Sequence, residues 1–92
     1  MGIHTSIKTV TTTASAMTGQ KVTDGYEQSI QVKWLTGSDV YLGGSDVEAS
    51  GTAHIGTLIN ADNPTFQVRT DQPLYARVAA STATVHVFRT FN

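Results

Sequence analysis

Ile30-Gln31-Val32-Lys33-Trp34-Leu35-Thr36-Gly37-Ser38-Asp39-Val40-Tyr41-Leu42-Gly43-Gly44-Ser45-Asp46-Val47 is the stretch whose reading decides the fold. From Ile30 to Trp34 the apolar residues occupy every second position, the period of a strand with one buried face. Gly37-Ser38-Asp39 interrupts as a tight turn, and Val40-Tyr41-Leu42 resumes as a short second strand. Gly43-Gly44-Ser45-Asp46 then makes a corner, where glycine permits positive φ or a close approach of backbone. The unit holds the only tryptophan, and the chain before it is poorer in apolar residues. It predicts the seed of an all-β core.

Toward the C-terminus the pattern repeats. Residues 48–59 have two glycines and weak periodicity, which predicts a loop with one short strand near Ala53 to Leu58. Asn60-Ala61-Asp62-Asn63-Pro64 is a strong turn. Phe66 and Val68 alternate with Gln67 and Arg69 in a strand that ends at Asp71-Gln72-Pro73. Leu74, Ala76 and Val78 share one face of the next strand, with Tyr75 and Arg77 on the other. After Ala80-Ser81-Thr82, residues 83–91 form the last strand, Val85 and Val87 inward and Thr84, His86 and Phe88 outward. The expected core is Ile30, Val32, Trp34, Val40, Leu42, Phe66, Val68, Leu74, Ala76, Val78, Val85 and Val87. Five to seven short strands with brief turns predict an antiparallel β-sandwich or a small, jelly-roll-like barrel.

Toward the N-terminus the signal fades. Gln20 to Glu27 holds an Asp-Gly turn between two short β-prone pieces. Ile3 to Val10 has strand-forming residues but poor alternation, and residues 11–19 are small and polar. The division expected is an extended arm over residues 1–19 and one β domain over 20–92. The arm is either a loosely attached terminus or a segment that obtains backbone partners from a sheet edge or a neighbouring subunit, with Ile3, Ile7 and Val10 as anchors.

Composition narrows the function classes. Ninety-two residues make one domain, and fifteen threonines favour strand over helix. Charged residues are 14% of the chain, against about 25% in an average soluble domain. The net charge of -1 and the dispersed Lys and Arg give no basis for nucleic-acid or anionic-membrane binding. No apolar run is long enough for a membrane span, and no hydrophobic signal core follows Met1. With no cysteine there is neither a disulfide nor a thiolate metal site. A β domain this small, without such staples, is expected to self-associate or dock on a partner.

Catalytic chemistry is not indicated. His4, His54 and His86 lie in separate segments without metal-ligand spacing. Asp39 and Asp46 stand beside serine or glycine at strand ends, as turn residues do, and a paired-carboxylate site would also need an aromatic cleft. Gly43-Gly44-Ser45 lacks the lysine and the helix of a phosphate loop. No catalytic residue, metal or cofactor is expected. The aromatic residues Tyr26, Tyr41, Tyr75 and Phe88 would form a sugar-binding platform only if the fold gathers them, and Phe88 and Phe91 are placed to cover an edge or join an interface.

Val40-Tyr41-Leu42-Gly43-Gly44-Ser45-Asp46-Val47, followed by Leu74-Tyr75-Ala76-Arg77-Val78-Ala79-Ala80 and Ala83-Thr84-Val85-His86-Val87-Phe88, resembles a small β-domain of tailed-bacteriophage virion proteins, of the capsid-decoration and head-fibre type. The resemblance spans about Ile30 to Phe88 and departs at Ala53-His54-Ile55-Gly56. It implies a non-enzymatic capsid decoration protein bound to the major capsid protein, on the phage head rather than the tail. It implies a homo-oligomer, a trimer in preference to a dimer, and a fold-forming role for the corner Gly43, Gly44, Ser45 and Asp46. A carbohydrate-binding or adaptor module of a phage tail or fibre is the alternative. The candidate interface residues are Ile3, Ile7, Val10, Tyr41, Tyr75, Phe88 and Phe91.

Overall fold

Hydrogen-bonded pairing sorts the described strands into two antiparallel sheets of four. The structure is a computed structural model that describes residues 2–17, 28–49 and 56–91. The strands are β1 (Gly2–Val10), β2 (Ser15–Ala16), β3 (Gln28–Gly37), β4 (Val40–Gly43), β5 (Thr57–Ile59), β6 (Thr65–Thr70), β7 (Tyr75–Val78) and β8 (Ala83–Phe91). One sheet has the order β1-β8-β3-β6 and the other β2-β7-β4-β5. The inner faces meet in one core: Val10, Ile30, Val32, Ala83, Val85 and Val87 from the first sheet, Val40, Leu42, Ile59, Ala76 and Val78 from the second. The two sheets stay separate, so the sandwich is the observed form and the barrel is not. No helix occurs among the described residues.

Nine of the twelve expected core residues are buried; Trp34, Phe66 and Val68 are half-buried and pack against the cluster. Phe66 and Val68 lie on β6, an edge strand, where neighbours exist on one side only. Val10, Met17, Ile59 and Ala83 complete the core without a clear sequence signal.

Residues 2–17 of the N-terminal segment take backbone partners within the chain itself. Residues 2–10 pair along their whole length with β8 of the same chain, from Gly2 opposite Phe91 to Val10 opposite Ala83. The chain then crosses to the second sheet: Val78 N donates to Thr11 O (3.0 Å) and Met17 N to Leu74 O (2.7 Å), with β2 between them on β7. Val10 and Met17 are 0% and 3% exposed. The segment is part of the sandwich because it supplies two core side chains and a ladder to β8.

Turns place the elements. Gly37 has φ +103°, and a Cβ there would lie 2.5 Å from Thr82 O and 2.6 Å from Ala83 Cα, so only glycine fits where β3 turns into the other sheet. A register shift between Trp34 and Thr36 bends β3 just before this corner. Asn60 closes the passage from β5 to β6: its Oδ1 accepts from Asp62 N (2.9 Å) and Asn63 N (3.1 Å). Of the strand expected near Ala53 to Leu58, residues 53–55 lie outside the described residues, and β5 covers Thr57–Ile59. The Asp-Gly turn, Tyr26 and His54 lie outside the described residues.

Candidate functional site

Strand register gathers side chains that are far apart in sequence. Directly opposed residues in an antiparallel pair share a face. On the outer face of the first sheet this gives three rows: Ile3, Thr90, Ser29, Arg69; then Thr5, Phe88, Gln31, Gln67; then Ile7, His86, Lys33, Thr65. Ile3, Ile7 and Phe88 are 64%, 60% and 37% exposed, and both isoleucines are one row from Phe88 on the adjacent strand. The inner face of β1 carries His4, Ser6 and Lys8, which with Ala16, Met17, Val87 and Arg89 border a cleft of about 280 Å³ between the sheets. Lys8 and Arg89 give that cleft a positive side.

The outer face of the second sheet holds the tyrosines. Tyr41 stands opposite Arg77 on β7 and Leu58 on β5, and Tyr75 stands opposite Gly43 and Ala16. Tyr41 and Tyr75 are therefore diagonal neighbours, both half-buried. Arg77 also borders a shallow depression of about 320 Å³ with Glu48, Ala49 and Ala79. Two phenol rings beside a guanidinium and a carboxylate can combine stacking with charged hydrogen bonding. The pairing of Tyr75 with Arg77 is visible in the sequence as alternation, whereas Glu48 arrives by folding.

The candidate interface residues thus separate. Ile3, Ile7 and Phe88 come together on one sheet, Tyr41 and Tyr75 on the opposite side of the sandwich, and Phe91 ends β8 opposite Gly2 and Gln28. Val10 leaves the set, because it is enclosed in the chain's own core. At the Gly43 to Asp46 corner, Val47 N donates to Gly44 O (3.0 Å), which makes it a β-turn with Ser45 and Asp46 exposed. A Cβ on Gly43 would meet the Val47 side chain, with Cγ2 at 3.0 Å, and positive φ among described glycines is confined to Gly37.

Among the described residues, no three His, Asp or Glu side chains come together as a metal-binding group. His4 and His86 stand on opposite faces of the first sheet. No described helix is long and apolar enough to cross a membrane. Comparison with protein-family models, with curated proteins and with solved structures finds no match to this chain.

Proposed function

We propose that the protein is a non-enzymatic structural component of a phage particle, a decoration protein of the head that binds the major capsid protein as a homo-oligomer and reinforces the shell. The observation that carries this reading is the outer face of β1 and β8. Ile3, Ile7 and Phe88 present apolar surface there, next to a nine-residue strand that pairs on one side only among the described residues. An exposed apolar patch of this kind marks a surface that docks on another protein. The resemblance of Val40 to Val47 to virion β-domains points the same way.

Co-sedimentation of the purified protein with undecorated phage heads tests it. Saturable binding that falls about tenfold in Phe88→Glu, with far-UV circular dichroism unchanged, is the expected outcome; a tenfold loss is about 1.4 kcal/mol. Absence of saturable binding to heads overturns the reading.

The Tyr41, Arg77, Tyr75 face supports a second reading, a glycan-binding module of a tail or fibre. Ring faces stack on sugar while Arg77 and Glu48 offer a donor and an acceptor. Saturable binding on a glycan array, lost in Tyr75→Ala, would favour it over the head role.

A further inference from the structure

We propose that two copies of the chain pair edge to edge through β1, antiparallel about a two-fold axis at Thr5, to join their four-stranded sheets into one of eight. This deepens the self-association assigned above, on which it rests, by naming its interface and symmetry.

Among the described residues the sheet edges differ sharply. The second sheet ends in β2 and β5, of two and three residues, too short to template another strand. The first ends in β6, six residues with the exposed Arg69, and in β1, nine residues with Lys8 as its one charged side chain and no proline. Long, weakly charged and free of bulges in its register with β8, β1 shows none of the devices that normally blunt an edge among the described residues.

The occupant follows from the sequence of the strand. With Thr5 on the axis, Ile3 of each copy faces Ile7 of the other, His4 faces Ser6, and Lys8 faces Gly2. Every outward residue meets an outward residue, so the exposed isoleucines pair twice and the patch continues to Phe88 on both sides. The two lysines end up about 20 Å apart along the strands, beyond the screening length at physiological salt. Moving the axis to Lys8 would set the two charges against each other, and moving it to Ser6 would place Ile7 against Thr5. A slip of a single residue would match the isoleucines with the polar inner side of the partner. The strand is therefore complementary to itself, and an isologous contact of this kind closes as a dimer, not as a trimer.

The chain has no cysteine, which makes a direct test available. Opposed Cα atoms in an antiparallel pair lie about 4.5–5.5 Å apart, within the range that a disulfide spans. Oxidised Thr5→Cys is expected to give a disulfide-linked dimer in high yield, and Gln67→Cys on β6 only a background amount. The unmodified protein should sediment as a dimer, and the double variant Ile3→Lys, Ile7→Lys should weaken self-association at least tenfold with its circular dichroism unchanged. A monomer or a trimer in sedimentation overturns the proposal, as do equal disulfide yields from positions 5 and 67. A chain that is monomeric alone yet binds heads overturns the dimer and leaves the decoration reading standing; a dimer that does not bind heads does the reverse.

Discussion

The indole of Trp34 donates from Nε1 to the carbonyl oxygen of Ser38 at 3.0 Å, so the last part of β3 holds the corner that carries the chain into the other sheet. The backbone adds to this, with Trp34 N donating to Pro64 O (2.7 Å) and Ser38 N to Thr82 O (3.0 Å). The ring and these two backbone bonds together link the β3–β4, β5–β6 and β7–β8 connections at one end of the sandwich.

Trp34→Phe, which keeps most of the ring and loses the bond to Ser38, is expected to cost about 1 kcal/mol. Trp34→Ala should cost about 3 kcal/mol, the low end for a large ring, because the side chain is half-buried. Urea unfolding of both variants checks the split; equal losses would assign the effect to packing alone.

Gly37→Ala meets backbone atoms at 2.5 and 2.6 Å and must also hold positive φ, so a loss of roughly 2–4 kcal/mol is expected. Gly44→Ala, where the nearest atom to a Cβ is Asp46 Oδ1 at 3.5 Å, is the matched control and should change stability by less than about 1 kcal/mol. Thermal unfolding of the pair separates a steric requirement from a general preference for glycine in turns.

Ser81 holds φ 61° between β7 and β8, a conformation that costs an L-residue roughly 1 kcal/mol. Ser81→Gly should therefore stabilise the protein by up to about 1 kcal/mol, and Ser81→Val should destabilise it. The midpoint of urea unfolding reads both signs.

Gln28 is fully buried; its Nε2 donates to Gln72 O at 3.3 Å, and its Oε1 has no hydrogen-bond partner among the described residues. Gln28→Met removes that orphaned acceptor at similar volume, while Gln72 remains open to water. The variant should be as stable as the parent or more stable by about 1 kcal/mol, whereas Gln28→Ala should lose stability. Chemical denaturation decides the order.

Deleting residues 2–17 should unfold the molecule, because it strips β8 of one neighbour and removes Val10 and Met17 from the core. Val10→Ala alone should cost about 2 kcal/mol. A truncated chain with native near-UV circular dichroism would return the segment to the status of a detachable arm.

By itself the sequence determined that the chain is β, where β3, β4, β7 and β8 run, and which of their faces is buried, because each of these strands puts apolar residues at alternate positions toward one core. Corners were legible for the same local reason, as glycine, asparagine and serine clusters. β1 was not, since its exposed residues Ile3 and Ile7 point to solvent while His4, Ser6 and Lys8 border the inter-sheet cleft, which inverts the usual pattern. β2 has two residues, too few for any period, and exists through its pairing with β7. Tertiary structure alone decided the strand order, which rests on hydrogen bonds between segments as distant as Gly2 and Phe91. The candidate surfaces depend on that order. Tyr41 and Tyr75 are neighbours because β4 pairs with β7, and Ile7 approaches Phe88 because β1 pairs with β8. Alternation specifies which way a side chain points from its own strand, and only pairing between strands specifies what stands beside it.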